Sequence, residues 1–144
     1  VVPLAGVIVA LLPVAAHAAS PYAVSQGSIS AGGMLTWYSR SVGVKGTASY
    51  TGGSGKCGKV TFSFWLDEAS TIGWSGVSPR TIPTCNAKDF QFTAPGPEGG
   101  LRSVEICVTD NFQGLSTCLH ETRSEDVSTA PDLPVPVPDY ELGV

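Results

Sequence analysis

The sequence predicts an all-β fold: an immunoglobulin-like antiparallel β-sandwich of about seven to eight strands, with a disordered C-terminal tail. Three observations carry this prediction. Short runs alternate apolar and polar residues, most clearly in VTFSFWLDE from Val60 to Glu68, where Val60, Phe62, Phe64 and Leu66 share one face and Thr61, Ser63, Trp65 and Asp67 the other. Seventeen Gly and 11 Pro are scattered among β-branched and aromatic runs, and only 14% of residues are charged, a composition of many strands and many turns. No segment repeats its apolar residues at helical spacing over the length of a helix.

The strand argument is sharpest between Leu101 and Thr122. With Asn111-Phe112-Gln113-Gly114 as the loop, Cys107 falls opposite Cys118, Glu105 opposite His120, Thr109 opposite Ser116 and Ser103 opposite Thr122. These pairs share a polar face, while Val104, Ile106 and Val108 point to the other side. A slip of one residue would lose both the sorting and the cysteine pair. The register predicts a Cys107–Cys118 disulfide and leaves Cys57 for Cys85. It argues against a bridge between the sheets of the antibody type, which would need Cys107 on the apolar face.

At the N-terminus, VVPLAGVIVALLPVAAHA is uncharged and ends in Ala16-His17-Ala18, a small-residue site of the kind signal peptidase cuts. Residues 1–18 read as a signal peptide cleaved before Ala19; a retained membrane anchor is the competing reading. Residues 19–33 read as a lead-in, and 34–122 as the sandwich domain. Its first strands are Met34 to Arg40 and Val44 to Thr51, the second an edge strand because of Lys45 and Gly46. Ala69 to Pro83 is irregular, Asp89 to Ala94 alternates again, and Pro95 to Gly100 is a loop. Residues 123–144 read as an acidic, Pro-rich disordered tail. Six acids and one base lie between Glu121 and Val144, so the net charge of −4 belongs to this end and the folded part is near neutral. Thinly spread basic residues exclude a nucleic-acid surface.

Catalytic chemistry finds little support. His120 is the only histidine after the leader, its expected neighbour is Glu105, and an exposed ion pair explains both. No serine sits in a G-x-S-x-G elbow, and the cysteine spacings fit no zinc site. No catalytic residue, metal or cofactor is expected, nor stable membrane insertion after cleavage. The candidate binding residues are aromatic: Trp65 on the polar face of its strand and Trp74 in a Gly-rich loop can stack on a sugar ring or seat a protein partner. Arg80, in Ser78-Pro79-Arg80-Thr81, is the candidate for an exposed inhibitory loop.

The apparent signal peptide, Gly- and Thr-rich strands and two expected disulfides resemble the small secreted immunoglobulin-like proteins of high-GC Gram-positive bacteria. Chromoprotein apoproteins of the neocarzinostatin type share the two-disulfide sandwich but have a tighter second bridge; subtilisin-inhibitor-type proteins add a helix that has no counterpart here. The resemblance implies a secreted, non-catalytic module that binds extracellular polysaccharide or protein. The alternative is a secreted protease inhibitor or toxin-like effector acting through an exposed loop.

Overall fold

The computed structural model describes residues 18–74, 76–123 and 139–143. Among them are nine strands and no helix. One sheet contains β1 (Ala18–Gln26), β2 (Ile29–Trp37), β3 (Val42–Tyr50), β6 (Ala87–Ala94) and β9 (Tyr140–Gly143), in the order β1-β2-β3-β6-β9. The other contains β4 (Gly58–Trp65), β5 (Arg80–Thr84), β7 (Ser103–Asp110) and β8 (Leu115–Thr122), in the order β5-β4-β7-β8. Every pairing is antiparallel. The chain changes sheet between β3 and β4, β5 and β6, β6 and β7, and β8 and β9, which gives an immunoglobulin-like sandwich.

The core lies between the sheets and follows the alternation of the strands. Val60, Phe62 and Phe64 of β4 and Val104, Ile106 and Val108 of β7 are buried against Leu35, Trp37, Val44, Phe90 and Phe92. Phe62 sits at its centre, with edge contacts to Tyr22, Phe90 and Phe92 at centroid distances of 5.9, 5.5 and 5.4 Å.

Both predicted disulfides form, Cys57–Cys85 and Cys107–Cys118. The β7–β8 register is the predicted one, with Cys107 opposite Cys118, Glu105 opposite His120 and Ser103 opposite Thr122. Gly114 takes φ 72° at the end of the loop, and Asp110 holds that loop by accepting the N–H groups of Phe112 and Gln113.

Several boundaries differ from the sequence reading. The expected lead-in forms β1 and the start of β2, joined by Gly27-Ser28, with Gly27 at φ 60°. Strand β3 is central and paired on both sides, although an edge strand was expected there. Lys45 faces outward, and Gly46 is small for a reason. Tyr22, Gly33, Gly46 and Phe90 lie side by side across four strands. A Cβ on Gly33 would stand 1.9 Å from Lys45 O, and one on Gly46 2.3 Å from Tyr22 Oη. The glycines open a slot through which the Tyr22 phenol donates to Lys45 O at 3.1 Å. Burial of that phenol raises its pKa.

The C-terminal expectation also needs correction. Tyr140–Gly143 is strand β9, paired with β6 from Lys88 to Gln91. Arg123 is 3% exposed and donates to Ser39 O at 2.9 Å and to Gly99 O at 2.8 Å. It is part of the domain, clasping two loops at one end of the sandwich. The expected leader, apart from Ala18, and the expected disorder of 124–138 lie outside the described residues.

Candidate functional site

The aromatic candidates meet because of where β5 begins. Strand β4 runs from Gly58 to Trp65, but β5 pairs only with Gly58 to Phe62. Beyond Phe62, the next contact on that edge is the isolated bridge between Trp65 and Gly73. Between these two points the chain bulges away from β4. A cleft of about 510 Å³ opens there, lined by Ser63, Phe64, Trp65, Gly73, Trp74, Val77 and Pro79. Trp65 and Trp74 thus share one cleft, although eight residues separate them in sequence. Among the described residues that line it, none is charged, and Ser63 is the only polar side chain besides the indoles.

Trp65 lies on the outer face of its sheet and is half-buried, with Gly73 bridged beside it. Its indole Nε1 is buried without a hydrogen-bond partner. Trp74 is also half-buried, packed with Leu66 and Val77 against the rim of the core. Both indoles are therefore more covered than freely exposed platforms would be. Of the adjacent pair Trp37-Tyr38, Trp37 turns inward, is fully buried and donates from Nε1 to Ser20 Oγ at 3.1 Å.

Arg80 does not occupy an exposed inhibitory loop. It is the first residue of β5, opposite Phe62. Its guanidinium lies 4.7 Å from the Phe92 ring centroid and 3.6 Å from Asp139. Its side chain is packed on Phe92 yet still 36% exposed, so Arg80 is a strand residue at the surface rather than part of a free loop.

His120 also departs from expectation. It stands opposite Glu105 in register, but its ring bonds elsewhere: Nε2 lies 2.7 Å from Glu68 O, and Ser70 Oγ lies 3.0 Å from Nδ1 and 3.2 Å from Nε2. The partners belong to the turn between Trp65 and Gly73. Asp67 builds that turn by accepting the N–H groups of Thr71 and Ile72, each at 2.8 Å, and the Thr71 hydroxyl. The Thr71 hydroxyl, with these N–H groups, holds the Asp67 carboxyl below its usual pKa. Ser103, fully buried, donates to Asp67 O at 2.6 Å and so fastens the turn to β7. Sequence reasoning placed Ser103 only opposite Thr122 and did not single out Ser70, because the bonds of Ser103 to Asp67 and of Ser70 to His120 join segments far apart in the chain.

Metal ligation has no ready donor set among the described residues. The one close group, Glu105 with Cys107 and Cys118, has both sulfurs in a disulfide and offers no thiolate. The Asp110 carboxylate, another candidate for a cation, already accepts from Tyr50 Oη at 3.0 Å and from two loop N–H groups. No helix among the described residues is long and apolar enough to cross a membrane. Compared with family models, with curated proteins and with solved structures, the chain matches none.

Proposed function

We propose that this chain is a non-catalytic module that works outside the cell and binds a neutral glycan in the Trp65–Trp74 cleft. The observation that carries the reading is the cleft itself: two indoles brought together at an open edge of β4, with uncharged walls. A sugar ring has an apolar face that stacks on an indole and hydroxyls that bond to nearby polar groups. Ser63 is the side chain placed to receive one. All four cysteines are paired, which is compatible with an oxidising, extracellular setting.

The test is retention of the purified protein on insoluble cell-wall and plant polysaccharides. Trp74→Ala removes one wall of the cleft and is expected to weaken retention about tenfold, the equivalent of about 1.4 kcal/mol. Unchanged retention in that variant, or no retention of the native chain on any of these polymers, would sink the proposal.

A further inference from the structure

We propose that β8 is a dimerisation edge: two copies of this chain pair their β8 strands antiparallel about a two-fold axis. The proposal goes beyond the glycan-binding role and does not depend on it. Its first ground is how unevenly the free edges are guarded. The larger sheet ends in β1 and β9, the smaller in β5 and β8. An edge strand offers unpaired N–H and C=O groups to another chain, and proline, lysine, a bulge or short length keeps that chain away. Strand β1 carries Pro21, β5 carries Pro83, and β9 has four residues. Strand β8 has eight residues, with neither proline nor lysine, and pairs with β7 in an unbroken register.

Which groups of β8 face outward follows from its pairing with β7. Facing residues of an antiparallel pair alternate between hydrogen-bonded pairs, about 5.5 Å apart at Cα, and non-bonded pairs, about 4.5 Å apart. The Cα atoms of Cys107 and Cys118 are 4.0 Å apart, so theirs is a non-bonded pair. The ladder agrees. Just past β8, Arg123 N–H donates to Arg102 O at 2.9 Å, which puts Leu115, Thr117, Leu119 and Glu121 at the bonded positions. The N–H and C=O groups of Ser116, Cys118, His120 and Thr122 therefore point to the free edge. By the same alternation, Pro83 turns its missing donor to the free side of β5. Strand β1 meets the inner face of β8 through side chains, with the Thr117 hydroxyl donating to Gln26 Oε1, and no backbone bond joins the two strands among the described residues.

The outward groups are complementary to themselves, which makes a second copy the occupant. With the axis at Leu119, Ser116 faces Thr122 of the other copy and Cys118 faces His120, so every outward group of the strand is bonded. Leu119, whose own backbone groups face β7, meets Leu119 of the other copy in a close, non-bonded pair. Glu121 falls opposite Thr117, and no like charges stand directly opposite each other. A two-fold contact closes on itself, and the guarded β5 edge adds no third copy. The Trp65–Trp74 cleft lies on the β4–β5 side of the same sheet, away from β8, so the dimer leaves both clefts open.

One strand pair is a small interface, so the dimer is expected to be weak and concentration-dependent. Sedimentation equilibrium of the full chain, from about 10 µM to about 1 mM, should show a monomer passing into a dimer and nothing larger. Thr122 is exposed, and Thr122→Pro removes an outward donor without touching the β7 ladder; it should weaken association at least about tenfold. A positive test does not depend on that variant folding. Leu119→Cys places a thiol on the axis, and under mild oxidation it should crosslink two copies at that position at least about tenfold faster than Ser54→Cys, in an exposed loop, as peptide mapping reads it. A chain that stays monomeric throughout, which would leave the edge to some other extended segment, overturns the proposal. So does a dimer undiminished in Thr122→Pro, or crosslinking no faster in Leu119→Cys than in Ser54→Cys.

Discussion

Single residues decide how closely the strands of the larger sheet can pack, and glycine does this where no other residue fits. Gly33 and Gly32 are neighbours on β2 facing opposite sides. A Cβ on Gly33 would lie 1.9 Å from backbone, whereas one on Gly32 meets nothing nearer than 3.4 Å. Gly33→Ala is therefore expected to cost stability at or above the top of the roughly 1–3 kcal/mol range of overpacked sites, while Gly32→Ala stays near neutral. Urea denaturation of the two variants checks the contrast. A second residue-scale effect belongs to Asp110. Burial raises its pKa, but the bonds from Tyr50, Gln113, Phe112 and Ser28 outweigh it, and the net shift is downward. A depressed folded pKa means stability present above the unfolded value of about 3.9 and lost as pH falls through the folded one. Asp110→Asn should therefore be less stable than the native chain at neutral pH, with the gap closing as pH falls below about 4. Denaturation midpoints taken across that range measure it.

Elements in this protein are held at their ends by groups from elsewhere. The β7–β8 hairpin carries its own disulfide, and Cys57–Cys85 joins the segment before β4 to the segment before β6. Loop-closure entropy assigns about 3 kcal/mol to the shorter bridge and about 3.5 kcal/mol to the longer. Replacing each pair by serine should cost close to these amounts in chemical denaturation, with Cys57/Cys85 the more damaging pair. Strand β9 is the opposite case. It has four residues, exposed Leu142, and pairing to β6 on one side only. Its exposed Asp139–Arg80 pair adds little, about 0–1 kcal/mol. Amide exchange is expected to be far faster in β9 than in β3, a strand paired on both sides; equal protection would contradict this.

At the scale of the whole molecule the sandwich is built from distant partners. The β1-β2-β3 meander and the β7–β8 hairpin pair sequence neighbours, but β4 pairs with β7 and β3 with β6, so the sandwich is complete only when long loops close. With disulfides intact, refolding is expected on the millisecond-to-second scale of all-β topologies, and stopped-flow fluorescence of buried Trp37 reads it. The same long-range assembly creates the cleft. Trp65 ends one strand and Trp74 begins the bulge that leads to the next; only the late start of β5 puts both at the same edge.

Alternation and register are local properties, and they were legible in the sequence. The β4 and β7 faces, the hairpin register and both disulfides follow from side chains that point to opposite sides at every step. Where small residues took the inner positions, the pattern was too faint. Tyr22, Val24, Ile29 and Ala31 alternate around Gly27-Ser28, but glycine and serine between them left only a short strand over Ser28 to Ala31 legible and hid β1. Gly46 suggested an edge because its purpose, room for Tyr22, comes from another strand. The candidate sites divide in the same way. The sequence by itself determined that Trp65 faces outward and that Cys107 meets Cys118. Only the tertiary structure decided that Trp65 and Trp74 share a cleft, that Arg80 is packed on Phe92, and that His120 binds Ser70 instead of Glu105. Pairing within a hairpin depends on spacing along the chain, whereas these contacts depend on how a loop folds across strands that lie far from it in sequence.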